Sequence, residues 1–546
     1  MKTLPLLAIT LLLNLFYVAQ AQLLTTAEKT DYASTSTYAD VMAFTDSLLA
    51  RYDHIRMDTM AVTNEGRIVP LFILADPMPQ TPEDLINDDR IVIYYQANIH
   101  AGEVEGKEAT QMLMRELLEK DDSLFYSKVV LLVCPIFNAD GNEKFSKENR
   151  TNQNGPVNGV GVRYNGQNLD LNRDGMKLET PEVQGLVTQV LNRWDPTLSV
   201  DCHTTNGSYH EEPVTFVWMM NPNGNRSLIN YMRDDFSPAV HRILWDKYNV
   251  ENIFYGEFID RMDYDKGWIS YASEPRYLVN YIGVRNRFAI LNENYVYADF
   301  KTRVNGSYHL LQSMLDYVIA HKDEMKKAVA DADSAMFEKF YGPGVADSFA
   351  IKYKGVPTPE KITIKAIEAD TIPGVQGYWR YKQSDRKRTV TVDYIADYIP
   401  TKSVAMPFCY LLTVKDKEVI KNLRMHGIEI EMLEDIAEFE VEQFNINALK
   451  PAGRLNQGHY TNEMEGSFEK VKKQFPKGTL VIRTAQELGN LASYLLEPQA
   501  DDGLLKWNYF DKYLAPQWGG GFYPYPVYKL IEYTNLKTVP CNQDYK

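Results

Sequence analysis

The chain has 546 residues, with 73 Asp and Glu against 58 Lys and Arg, for a formal net charge of -15. That length exceeds a single hydrophobic core and implies roughly two or three domains. Its 45% hydrophobic and 24% charged content excludes disordered and fibrous classes, and the acidic balance argues against a nucleic-acid partner.

In chain order, the first residues read as a signal peptide. Lys2 supplies the positive charge, Leu4 to Val18 the apolar stretch and Ala19-Gln20-Ala21 the small-residue cleavage site. Residues 1–21 should therefore be removed on export, leaving a periplasmic or extracellular protein. The apolar run falls short of the ~20 residues of a membrane helix. No later segment reaches that length either, so no transmembrane anchor is expected.

A helical pattern follows at Tyr38–Arg51, with Val41, Phe44, Leu48 and Leu49 on one face. Strand-like runs come next at Ile68–Leu74, Ile91–Gln96, Val129–Ile136, Thr197–Cys202 and Arg287–Asn292. Helical stretches at Glu105–Glu119, Pro181–Arg193 and Ser307–Ala330 separate them. Buried apolar strands alternating with helices predict an α/β domain over residues 28–335. Its central sheet should be mixed and largely parallel, with helices on both faces.

Beyond Asp333 the pattern shortens. Lys361–Ala366, Arg388–Tyr394, Ala405–Val414 and Ile428–Glu431 read as strands, and Asp416–Met425 as a helix. A mostly β domain over 345–546 is expected. Four cysteines are too few for a disulfide scaffold. Cys134 and Cys202 suit buried thiols, and Cys409 with Cys541 could bridge.

His-x-x-Glu occurs three times, at His100/Glu103, His321/Glu324 and His426/Glu429. The second lies in a polar helix end and the third in a turn after a helix. The first follows the buried strand IVIYYQA and precedes a helix, the place where open α/β sheets collect ligands. His203 follows TLSVDC, and Glu293 follows RFAIL and Asn292, in the same kind of position.

Two imidazoles and a carboxylate suit one catalytic zinc with an open fourth position. Glu293 is then available as general base, although a glutamate there could also be a structural acid. The His-Glu-x-x-His type is excluded, because His210-Glu211 has no second histidine at the required spacing.

In order, Asn64-Glu65-Gly66-Arg67, NIHAGEVEGKE, NADG, LDLNRD, DCHTTNG and AILNENY resemble the carboxypeptidase A and B family of zinc metallopeptidases over residues 35–330. The resemblance implies that His100, Glu103 and His203 hold zinc and that Glu293 is the base. It implies that Asn172 and Arg173 bind the free C-terminal carboxylate of a peptide, a match for a bidentate guanidinium. Arg150 would stabilise the oxyanion, and Asp170 would orient His100.

A mobile tyrosine is implied at Tyr271, with Tyr277 and Tyr281 competing. The stretch before the first helix leaves no room for an inhibitory pro-domain. The C-terminal domain does not resemble the family's small accessory β-domain. Removal of C-terminal residues from peptides is the leading reading. Cleavage of cell-wall peptides or N-acyl amino acids is an alternative, and a non-catalytic binding module is a third.

Overall fold

The computed structural model describes residues 22–205, 207–339, 347–377 and 380–541, so the signal peptide expected at residues 1–21 lies outside the described residues. Ten strands come from the first 300 residues: β1 (Ile55–Val62), β2 (Ile68–Leu74), β3 (Ile91–Ala97), β4 (Val129–Cys134), β5 (Leu198–Thr205), β6 (Val214–Trp218), β7 (Asn252–Phe254), β8 (Glu257–Phe258), β9 (Trp268–Ile269) and β10 (Phe288–Tyr295). Eight of them form one sheet in the order β1-β2-β4-β3-β5-β10-β6-β7. Four of its seven pairings are parallel.

The centre of this sheet is buried on both faces, which explains why its strands read as unbroken apolar runs rather than alternating ones. The helix Glu105–Lys120 packs on β3 and β5, Leu278–Val284 on β5 and β10, and Phe300–Glu338 on β6 and β10. The chain leaves β3 toward β4 on one side, while β5 flanks β3 on the other. That divergence opens a crevice at the carboxyl ends of the strands, where ligands settle in such folds.

Two close approaches set the crevice. A Cβ at Gly106 would lie 2.4 Å from the Cβ of Cys202, so glycine lets the helix start directly against β5. Arg303 is fully buried, and its Nε donates to Glu105 Oε1 at 3.2 Å. Its other nitrogens donate to the carbonyls of Asn154, Ala298 and Gly155. The long helix is thereby fastened to the first turn of the helix that follows the ligand loop.

The C-terminal half is mostly β, as expected. β11 (Ser348–Pro357), β12 (Ile362–Thr371), β13 (Tyr381–Val392), β14 (Tyr394–Ala405), β15 (Cys409–Leu412), β16 (Glu431–Leu433), β17 (Ala437–Pro451), β18 (Asn462–Phe475), β19 (Leu480–Arg483), β20 (Val527–Leu530) and β21 (Thr538–Pro540) fall into three sheets. One is the hairpin β12-β13, and one the seven-stranded sheet β18-β17-β20-β15-β19-β16-β21. The third, β11-β14-β9-β8, joins strands from both halves of the chain.

Several boundaries differ from the sequence reading. Arg388–Tyr394 is not one strand, because pairing breaks at Asp393, where β13 of one sheet gives way to β14 of another. Pro181–Arg193 is α-helical only to Gly185 and widens into a π-turn over Leu186–Leu191. All four cysteines are free and buried, so Cys409 and Cys541 are not bridged. Among the described residues no helix is long and apolar enough to cross a membrane.

Arg303→Met should destabilise the protein by ~3–5 kcal/mol, since it strands the Glu105 carboxylate in a dry interior. Denaturant unfolding monitored by circular dichroism checks this, and an unchanged midpoint would refute it.

Candidate metal centre and catalytic cavity

His100 and Glu103 lie in the loop between β3 and the helix Glu105–Lys120, whereas His203 lies within β5. All three are at most 4% exposed. His203 Nδ1 sits 3.1 Å from His100 Nδ1 and 3.0 Å from Glu103 Oε2, and His100 Nδ1 sits 3.1 Å from Glu103 Oε1. The far nitrogen of each ring meets a carboxylate: His100 Nε2 lies 3.1 Å from Asp170 Oδ1, and His203 Nε2 lies 2.9 Å from Asp201 Oδ2.

These back contacts decide the chemistry. An Nε2–H that donates to aspartate leaves Nδ1 as a bare lone pair. Two such lone pairs and a carboxylate then face one another in a buried space, an arrangement that repels itself unless a cation or a proton lies among them. The spacing suits zinc, whose ~2.0–2.1 Å bonds to nitrogen give a tetrahedral edge of roughly 3.3–3.4 Å. Among the described residues this is the one cluster of three or more His, Cys, Asp or Glu groups that could hold a metal ion.

Without a cation, protons take that place. Burial alone would raise Glu103, but the charges of His100 and Arg150 and bonds from both imidazoles hold it well below the usual carboxylate range. Burial works against a charged His203, yet Asp201 and Glu103 lift it well above its ordinary value. Asp201 is itself held by Gln96 Nε2 at 3.1 Å.

Asp201 was not singled out in the sequence. A signal was there, because residues i and i+2 of a strand share a face, and Asp-x-His places the two side chains side by side.

Glu293 lies on β10 in direct register with His203 on β5. Burial pushes its carboxyl up to about 8 against the pull of His203. It opens on a cavity of about 320 Å³ whose wall includes the three candidate ligands, Arg163, Asn172, Arg173 and Tyr271. Asn172 Oδ1 accepts from Leu278 N at 2.9 Å. The Arg173 guanidinium stacks 4.4 Å from the centre of the Tyr277 ring, and Nη1 donates to the Asn172 carbonyl at 2.7 Å.

The structure gathers most of the expected site residues around this cavity and sets Arg150 apart. Arg150 lies behind Glu103, donating to Glu103 Oε1 at 2.9 Å, to the Thr204 carbonyl and to Gln153. It has that space because position 102 is glycine: a Cβ there would meet Arg150 Cδ at 2.6 Å. Arg163 lines the cavity instead, with Nε donating to Asp170 Oδ2 at 2.8 Å. An arginine seven residues before Asp170 carries no spacing rule, so the sequence offered no signal for it.

Of the three tyrosines, Tyr271 and Tyr277 line the cavity. The Tyr271 hydroxyl is buried without a hydrogen-bond partner. Tyr281 points elsewhere, its hydroxyl 2.7 Å from His426 Nδ1.

The other His-x-x-Glu pairs stand apart from this site. His321 and Glu324 form an exposed pair on the long helix. His426 is buried between Tyr281 and the Met176 carbonyl and is pushed down to about 3 by burial. His100→Ala or His203→Ala should therefore remove bound metal, while His321→Ala and His426→Ala should retain it. Elemental analysis of the purified variants decides this, and full metal content in His203→Ala would refute the assignment.

Residues 41–209 match the zinc carboxypeptidase family. No curated protein matches the chain. Solved structures similar to it include a metallo-carboxypeptidase from Burkholderia cenocepacia, 16% identical over 52% of this chain and 69% of that one, with a TM-score of 0.39. Another is the metallo-carboxypeptidase from Pseudomonas aeruginosa in complex with (2-guanidinoethylmercapto)succinic acid, at 17%, 53%, 70% and 0.38. A third is carboxypeptidase A from Helicoverpa armigera, at 15%, 56%, 75% and 0.38. These three likenesses are too distant to inform substrate or mechanism. The matched stretch is under a third of the chain, and it contains the whole His100, Glu103 and His203 cluster.

Proposed function

We propose that the chain is an exported enzyme that hydrolyses the C-terminal peptide bond of peptides. Its catalytic unit lies within residues 28–335, followed by a mostly β unit over 345–546. One zinc would be held by His100, Glu103 and His203. The observation that carries this reading is the convergence of two imidazole lone pairs and a carboxylate on a cavity that also presents Glu293 and Arg173. Zinc, when bound, supplies Lewis acidity toward a carbonyl and a water.

The protein's own groups do the rest. Arg173 is a permanent cation held over the Tyr277 ring, and it offers a fork of donors to a substrate's terminal carboxylate. Asn172 has its carbonyl oxygen committed to Leu278 N, which leaves its amide donors for the same carboxylate. Holding that end fixes which peptide bond reaches Glu293. Glu293 takes the proton from the attacking water and passes it to the departing amine nitrogen. Its enclosed setting raises its proton affinity, which suits a group that must accept and then release a proton.

Charge developing on the carbonyl oxygen needs a donor in the cavity, and Arg163 is the arginine placed there beside Arg173. Arg150 then serves Glu103, neutralising part of its charge from behind. Tyr271, with a buried and unpaired hydroxyl on the cavity wall, is available to a bound peptide.

Two measurements test this reading. Glu293→Gln keeps size and polarity but removes the base, so kcat should fall by ~10²–10⁴-fold with metal content unchanged. Loss of metal from that variant would make Glu293 a ligand instead.

Amidating a peptide's C-terminus should nearly abolish hydrolysis, and Arg173→Ala should weaken kcat/KM by ~2–5 kcal/mol, as expected when a buried charge loses its partner. Equal turnover of free and amidated peptides would point to an endopeptidase or amidase.

A further inference from the structure

The carboxylate-binding pair belongs to residues 170–179, a segment with only a short 3-10 turn at Leu171–Arg173. A segment with so little regular structure keeps its shape only if its backbone groups find partners elsewhere. Lys177 Nζ holds the Arg173 carbonyl and Asp174 holds Glu179 N and Thr180 N from within the segment, and further partners come from the far end of the chain. Gln457 Oε1, in the turn between β17 and β18, accepts from Asp170 N at 2.8 Å. Asn422 Nδ2 donates to the Met176 and Lys177 carbonyls at 3.2 and 2.9 Å, and the Tyr509 hydroxyl donates to the Lys177 carbonyl at 2.9 Å. His459 Nε2 meets Glu179 Oε1 at 2.8 Å.

The facing wall is tied in the same way. Tyr277 carries the ring on which Arg173 stacks, and its neighbour Arg276 is clamped by Asp502. The Asp502 carboxylate is fully buried and accepts both Arg276 N and Nε at 2.9 Å. Both walls that present Arg173 are therefore anchored from behind by residues 422–509. None of these anchors lines the cavity itself.

We propose that Asn422, Gln457, Asp502 and Tyr509 are positioning residues for carboxylate recognition, making the C-terminal half an integral support of the substrate cavity. This proposal rests on Arg173 being the carboxylate-binding group. Asn422 and Tyr509 both donate to the Lys177 carbonyl, so removing both loosens the backbone four residues from Arg173 while leaving the metal ligands and Glu293 untouched.

The test uses the full chain loaded with zinc and a blocked dipeptide carrying a free C-terminal carboxylate. The double variant Asn422→Ala/Tyr509→Phe, and separately the milder Tyr509→Phe, should keep their zinc. KM should rise by roughly 10- to 100-fold in the double variant, the scale on which a misplaced positioning group acts, and by less in Tyr509→Phe. The rise should fall on KM more than on kcat, because the interaction lost is one made equally in ground and transition states.

Arg483→Ala, which breaks a pair with Glu431 elsewhere in the C-terminal half, should lower Tm and leave KM alone. A lowered Tm with unchanged KM in the double variant would overturn the proposal and make these contacts merely structural. If the double variant does not fold, Tyr509→Phe decides alone: unchanged KM in that variant overturns the proposal. Arg173→Ala run alongside separates the two claims. If KM is unchanged there, the carboxylate reading itself fails and the proposal goes with it. If only Arg173→Ala raises KM, the carboxylate reading stands and the positioning role falls.

Discussion

Two imidazole nitrogens are held 3.1 Å apart in a protein interior, with a carboxylate 3.0 Å from one and 3.1 Å from the other. Left to themselves these groups would turn away from one another, since unpaired buried acceptors are costly. They are kept in place from outside. Asp170 and Asp201 grip the far side of each ring, Thr204 N donates to Glu103 at 3.0 Å, and Arg150 neutralises Glu103 from behind. The centre is thus preorganised against its own repulsion, and a dication relieves that repulsion directly. The β5–β10 register then sets Glu293 beside His203, so the proposed base and a candidate ligand share one sheet.

Charge is layered outward from this point. The innermost groups are acceptors, the next shell alternates aspartates with arginines, and the cavity wall presents Arg163 and Arg173. Under the proposed function Arg173 receives the terminal carboxylate of the peptide and Arg163 the charge developing on the carbonyl oxygen.

The central sheet was legible because its strands are buried on both faces and read as apolar runs. Ile68–Leu74 is found with the bounds expected, and Ile91–Gln96 is longer by one residue. His203 and Glu293 were expected just after strands and instead lie within them. The polar residues Asp201 to Thr205 and Asn292 to Tyr295 continue the pairing past the apolar stretch. Strands with a wet face were harder to see: β17 and β18 alternate charged with half-buried residues and carry few fully buried side chains. Asp201 was readable from strand periodicity, whereas Arg163 depends on how a long loop folds back over the crevice, which no local pattern encodes.

The sheet built from β11, β14, β9 and β8 has a consequence for synthesis. Tyr394 and Ile395 of β14 pair with Trp268 and Ile269, and Trp268 is wholly buried in the finished protein. A nascent chain therefore completes its ligand loop and central strands while β9 still has an open edge and Trp268 lacks part of its cover. Only when residues beyond 394 emerge can that edge close. The order of emergence thus separates assembly of the hydrolytic centre from closure of the wall around it, and a chain released early carries an unsatisfied strand edge of the kind that invites wrong pairing.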